Sequence, residues 1–286
     1  MNAKLSIREV EKVFATRTKT TQALSPTTFD IADGEFVSLV GPSGCGKSTL
    51  LYIIAGLEES SGGQVLLDGK PLSGPGADRG MVCQAYNLFP WLSVLDNTRF
   101  SHTLAANKDY YAPVAEIEAK VNRVYTLLDL MGLADFHNAY PKELSGGMRQ
   151  RVAIARALAN DPAVLLMDEP FGALDAQTRE EMQELLLLVR LHWGKTIVFV
   201  THDVDEAIFL SDRIIVMSPR PGRVRADLRV DLPQPRTLEQ KLDPEFLRLK
   251  REIVDYLHES RSPTAVRDEL LRRMFKKGGE EMKEAS

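Results

Sequence analysis

The sequence predicts an α/β fold built on a mostly parallel sheet, and three observations predict it. Short apolar runs rich in β-branched residues occur at 36–40, 164–167, 197–200 and 214–217, each followed by Gly, polar or Pro punctuation. Longer segments between them repeat apolar residues at helical spacing: Ile117, Val121, Val124, Leu127, Leu128 and Met131, then Met182, Leu185, Leu186 and Val189. A Gly-rich loop stands directly after the first run and leads into a helix-forming stretch. Strands buried on both faces and alternating with helices call for a parallel sheet covered by helices.

The chain has 286 residues, about twice a typical domain. With 44% hydrophobic and 27% charged residues it can bury a real core, and disordered, collagenous and coiled-coil readings fall away. Its 36 basic and 40 acidic side chains give a net charge of -4, so there is no overall positive field for wrapping nucleic acid. Two cysteines, Cys45 and Cys83, are too few for a disulfide framework, and the start MNAKLSIREV lacks the apolar core of a secretory signal. Both fit a reducing cytoplasm. The apolar stretch at 184–192 is broken by Arg190 and is far shorter than the ~20 residues that span a bilayer.

Taken in order, the run 36–40 is the first buried strand. From about 87 to 160 the pattern is mostly helical, with turn signals at Pro90, Pro113, Gly132 and Pro141, and reads as a helical insert. The strand 164–167, a helix through Met182 and Val189, and the strands 197–200 and 214–217 complete the core. After the Pro-punctuated 218–236 come two amphipathic candidates: Phe246, Leu249, Ile253, Val254 and Leu257 following Pro244, and Val266, Leu270, Met274 and Phe275 following Pro263. The last eleven residues, KKGGEEMKEAS, read as frayed.

The segment Gly41-Pro42-Ser43-Gly44-Cys45-Gly46-Lys47-Ser48, followed by Thr49, is a phosphate-binding loop in its strand–loop–helix context. Glycines let the backbone curl so that successive N–H groups point inward, and the helix N-terminus adds positive potential. Lys47 then reaches the β- and γ-phosphates, and Ser48 offers a hydroxyl to Mg²⁺. Cys45 occupies a variable position of the loop, which does not need its thiol. Asp168 and Glu169 end the strand 164–167, at the sheet edge where open α/β sheets bind ligands. There Asp168 is suited to help hold Mg²⁺ and Glu169 to polarise an attacking water. A loop-capping acidic pair is the plain alternative, and Lys47 weighs against it. Ser145 caps a helix running to Leu158, whose exposed amides and dipole suit an anion.

With Leu144-Ser145-Gly146-Gly147-Met148-Arg149-Gln150-Arg151, the chain resembles the nucleotide-binding subunits of ATP-binding cassette (ABC) transporters, whose signature is LSGGQ or a near variant. The resemblance covers Leu5 to about Arg225. It implies a RecA-like P-loop NTPase core with an N-terminal antiparallel β part: a nucleotide-binding domain over 1–225 with its insert, and a helical extension over 226–286.

It also implies that Gln84 is the Q-loop residue, reporting on Mg²⁺ and on the membrane partner. Asp175, in Ala173-Leu174-Asp175, matches the D-loop, and His202 matches the switch histidine that holds the γ-phosphate. Phe14 falls where the family places an aromatic ring against adenine; core packing is the rival reading for it. His102, His137, His192 and His258 match no motif and read as structural.

Met148 stands where Gln is usual, as in importer-type members. The segments 74–80, Phe89-Pro-Trp91 with Asp96-Asn97, and Ser218-Pro-Arg-Pro-Gly222 resemble the nitrate, sulfonate, taurine and bicarbonate importer group. Cys83 stands where that group often has Phe.

The mechanism implied is a head-to-tail dimer sandwiching two ATP molecules, each between one subunit's phosphate loop and the other's Ser145, Gly146 and Gly147. The partner subunit is an identical copy or a sister. A separate transmembrane permease docks beside the Q-loop, with Asn87 to Trp91 as candidates; burial of Phe89 and Trp91 within the insert is the alternative. An extracytoplasmic solute-binding protein acts upstream, and the subunit sits peripherally on the cytoplasmic face of the plasma membrane. Two other readings stand beside this one. One is the same ATPase role for another small solute. The other is a soluble non-transport ABC ATPase, which a compact insert and a single copy of each motif argue against.

Overall fold

A computed structural model describes residues 3–104 and 114–258. Its strands are β1 (Ala3–Ala15), β2 (Thr20–Ala32), β3 (Phe36–Val40), β4 (Gly62–Leu67), β5 (Lys70–Pro71), β6 (Arg79–Val82), β7 (Val164–Asp168), β8 (Thr196–Thr201), β9 (Arg213–Met217) and β10 (Val224–Arg229). The helices are α1 (Lys47–Ala55), α2 (Val94–Arg99), α3 (Val114–Leu130), α4 (Gly146–Leu158), α5 (Ala176–Trp193), α6 (Val204–Leu210) and α7 (Pro244–His258).

The central sheet runs β10-β9-β3-β8-β7-β6, with β9, β3, β8, β7 and β6 parallel and β10 antiparallel at one edge. The four runs read from sequence are its four middle strands. β6 was not among them: its four residues include Arg79 and Gly80, and parallel pairing with β7 rather than local propensity makes it a strand.

Strand alternation divides the interior into two cores. Phe36 and Val40, Leu165 and Met167, Ile197 and Phe199, and Ile214 and Val216 face α4 to α7. Val37 and Leu39, Leu166, Val198 and Val200, and Ile215 and Met217 face α1 and the second sheet. A strand buried on both sides gains from apolar residues at every position, so these segments read as continuous runs.

The second sheet is antiparallel, ordered β2-β1-β4-β5, and packs Leu5, Ile7, Leu24 and Ile31 against α1. Between Asn87 and Asn160 the described residues contain helices and turns. Within α3, Val124, Leu127 and Leu128 are buried, as is Met131 just beyond it, but Ile117 and Val121 are exposed, so the apolar stripe extends beyond the core it covers. Phe246, Leu249 and Ile253 of α7 are buried on the main core. The second tail candidate, after Pro263, lies outside the described residues. Among the described residues, no helix is long and apolar enough to cross a membrane.

Candidate active site

The phosphate loop runs from the end of β3 to the start of α1. Gly46, the residue before α1, has φ +103°, a conformation that side chains resist, and a Cβ there would lie 2.7 Å from Leu24 Cδ2. No side chain caps α1, so its first-turn amides face the loop rather than a protein partner. Lys47 is almost fully buried and its Nζ donates to the carbonyls of Gly41 (2.8 Å) and Pro42 (3.2 Å). The ammonium is thus held across the inside of the loop. Cys45 is buried in the core beneath, and burial pushes its thiol pKa up, so it sits in a poor place for thiolate chemistry.

Strand register builds the other half. β7 and β8 pair with Asp168 opposite Val200, which carries the next residues, Glu169 and His202, out of the same sheet edge together. His202 Nδ1 lies 3.1 Å from Glu169 Oε2. Glu169 has φ +44°, a strained value for a non-glycine residue; its amide donates to the Val200 carbonyl at 2.9 Å, and its carbonyl accepts from Gly172 at 3.2 Å.

Beside it, Ser48 Oγ donates to Asp168 Oδ1 at 2.8 Å. A hydroxyl and a carboxylate in contact at a strand end form an oxygen donor set of the kind a hard divalent cation takes, so these residues fit Mg²⁺. Tyr52 stands one turn beyond Ser48 on α1; burial and the neighbouring Asp168 carboxylate push its phenol up to about 12. Gln84 is exposed just past the end of β6, next to β7 in the sheet.

A cleft of about 220 Å³ is lined by Phe14, Thr21, Ala23, Ser43, Gly44, Gly46, Lys47, Ser48, Thr49, Glu169 and Arg220. Phe14 is 41% exposed in this cleft, which removes the core reading for it. A larger cavity of about 610 Å³ lies between α5 and the segment Gln234 to Arg236, but it contains neither the phosphate loop nor the acidic pair. Chemistry therefore selects the smaller cleft.

Ser145, Gly146, Gly147 and Asp175 do not line it. They meet one another instead. Ser145 Oγ caps α4 by accepting from the Met148 amide at 3.2 Å. Asp175 caps α5, accepting from the Thr178 amide (3.0 Å) and hydroxyl (2.8 Å), and these donors hold its carboxyl below the usual range. Gly147 packs against that same Thr178: a Cβ there would lie 2.5 Å from Thr178 Cγ2. The starts of α4 and α5 are thus tied together through Gly147 and Thr178, with Gly147 buried between them and Ser145 and Asp175 exposed.

The stretch after Gln84 is pinned to α4 by Arg156, which donates to the carbonyls of Asn87 (2.7 Å) and Tyr86 (3.1 Å). Phe89 stacks on Phe100 with centroids 4.4 Å apart, whereas Trp91 is 70% exposed, so the burial reading fails for Trp91. Cys83 is half-buried and its thiol is pushed up by burial; nothing in the structure explains its presence.

Sequence reasoning did not single out Tyr52 beside Asp168, Arg156 at the stretch after Gln84, or Arg220 at the cleft. Tyr52 was findable, since i, i+4 spacing from Ser48 puts it on the same helix face. Arg220 and Arg156 carry no local signal, because the carbonyls they bond belong to segments distant in sequence.

Comparison with known proteins follows the same lines. The ABC transporter family profile matches residues 24–172. The chain is 47% identical over 233 residues to an aliphatic sulfonates import ATP-binding protein of Bacillus cereus, covering 82% of this chain and 88% of that one. It is 45% identical over 259 residues to a nitrate import ATP-binding protein of Synechocystis sp., covering 88% and 94%. A dimeric ATP-binding cassette solved in a post-hydrolysis state with ADP and Pi superposes with a TM-score of 0.68 at 34% identity, covering 80% of this chain and 99% of that one. With the phosphate loop, acidic pair and signature all in place on this fold, the chain belongs to the ABC transporter family, among its ATP-binding subunits.

Proposed function

We propose that this chain is the ATP-hydrolysing subunit of an importer, working as a head-to-tail dimer that drives a separate permease. The observation that carries the reading is the division of the machinery. The cleft holds the phosphate loop and Glu169, with Asp168 hydrogen-bonded to its Ser48 and His202 to its Glu169, while Ser145, Gly146, Gly147 and Asp175 lie outside it at the starts of α4 and α5. Each chain then supplies two half-sites, which a second nucleotide-binding subunit completes. The dimeric relative with ADP and Pi supports that arrangement.

Within the cleft, the loop amides and Lys47 bind the phosphates, and Phe14 lies against adenine. Ser48, Asp168 and Gln84 would hold Mg²⁺, which would neutralise phosphate charge there. Glu169 orients and deprotonates the attacking water, and His202, hydrogen-bonded to Glu169, reaches the γ-phosphate. Because ATP joins the two halves and its products do not, closure and opening follow the nucleotide as a population shift.

The surface from Asn87 to Trp91 receives the permease, which places the chain peripherally on the cytoplasmic face of the plasma membrane. Relatives named for nitrate and for aliphatic sulfonates favour a small anion as solute, in the group that also takes taurine and bicarbonate, with an extracytoplasmic binding protein delivering it. The domain division at about residue 225, with the helical insert at 87–160, is part of the same proposal. Light scattering tests the dimer: the Glu169→Gln chain should double its mass with ATP and not with ADP. A monomer in saturating ATP refutes the arrangement.

A further inference from the structure

Arg220 lies in the loop between β9 and β10 and lines the same cleft as Phe14, Lys47 and Glu169. That loop is closed on itself. The Ser218 amide donates to the Arg223 carbonyl at 2.9 Å, and the Arg223 amide donates to Ser218 Oγ at 3.2 Å.

It is also stitched to β2, where the Gly222 amide donates to the Ala23 carbonyl (2.9 Å) and the Ser25 amide to the Gly222 carbonyl (2.8 Å). Against the phosphate loop the approach is closer still, since a Cβ on Gly222 would overlap the Cys45 carbonyl oxygen. The loop is therefore wedged between β2 and the phosphate loop, and it fixes where Arg220 can reach.

Arg220 Nε donates to the Gly44 carbonyl at 3.1 Å. A guanidinium carries five N–H donors in a planar fork, and this bond uses one. Among the described residues no carboxylate pairs with Arg220. An arginine held at a phosphate loop and lining its cleft, with no carboxylate paired to it, presents its charge to an anion.

We propose that Arg220 is a nucleotide-binding residue, contacting the phosphates from the β9–β10 loop as a second cation beside Lys47. The inference rests on the nucleotide reading of the cleft given above. It adds a positive group from outside the phosphate loop and explains why the loop at 218–223 is tied so firmly to it.

The test is the affinity of the full chain for MgATP by isothermal titration, with three variants. Arg220→Gln keeps an N–H for Gly44 without the charge, Arg220→Lys keeps the charge, and Lys47→Ala reports on the cleft itself. Loss of one charge-assisted contact should raise the Kd about ten-fold in Arg220→Gln and less than about three-fold in Arg220→Lys. The affinity of Arg220→Gln should also fall less steeply with added salt.

Unchanged affinity in Arg220→Gln, with Lys47→Ala weakened, overturns the role of Arg220 alone. Equal losses in Arg220→Gln and Arg220→Lys also overturn it, because charge would then not be the operative property. Wild-type affinity in Lys47→Ala overturns the reading of the cleft, and the proposal with it.

Discussion

Replacing Glu169 by Gln isolates one chemical property of the site. Gln has nearly the same shape, can keep the backbone at φ +44° and can still hydrogen-bond the His202 ring, which lies 3.1 Å from the native carboxylate. What it loses is basicity. The side chain is partly exposed and its partner His202 mostly so, so the stability change should stay within about 1 kcal/mol. A positioned general base contributes about 10²–10⁴-fold, or roughly 3–5 kcal/mol of barrier. Phosphate release at saturating MgATP should therefore fall by at least about a hundred-fold, while ATP affinity stays near the wild-type value because the loop amides and Lys47 are untouched. A variant that still turns over at more than about a tenth of the wild-type rate refutes the assignment, since that is less than a base is worth.

Three further outcomes follow from the same geometry. Gly147→Ala drives a methyl into Thr178 and so disturbs the Asp175 cap; turnover should drop about ten-fold with monomer ATP affinity unchanged, and parallel losses in both would show that Gly147 acts in its own chain's cleft. Trp91→Ala removes an exposed ring, so the melting temperature should hardly move while co-purification of the permease and transport are lost; intact permease association counts against the docking surface.

Glu206 is buried and accepts from Thr201 Oγ1 at 2.7 Å, and burial pushes its pKa above the usual 4.5 despite Arg179 nearby. Its folded pKa exceeds its unfolded one, so its stabilising contribution is complete below 4.5 and is lost as pH rises through the folded value. Urea midpoints across that range should slope less in Glu206→Gln than in wild type, and identical slopes would remove the argument.

The local patterns were legible in the sequence because their causes are local. Runs such as Phe36 to Val40 are apolar throughout because both faces of the strand are covered, and the phosphate loop is written in glycines that its own backbone needs. The acidic pair at 168–169 and the cap at Ser145 are likewise statements about single segments. β6 was not legible, because pairing with β7 makes it a strand. Ile117 and Val121 misled for the reverse reason: helical periodicity continues past the point where the core ends.

By itself, then, the sequence determined the kind of chemistry, through a phosphate loop, an acidic strand end and a signature helix. Only the tertiary structure decided their grouping. The β7–β8 register brings His202 to Glu169, α1 brings Ser48 to Asp168, and the β9–β10 loop carries Arg220 to Gly44. The same packing keeps Ser145, Gly147 and Asp175 out of the cleft and ties them to Thr178. Backbone propensity and motif spacing act over a few residues, whereas strand register joins Glu169 to His202 across 33 positions and loop packing joins Gly44 to Arg220 across 176, and no local pattern encodes such distances.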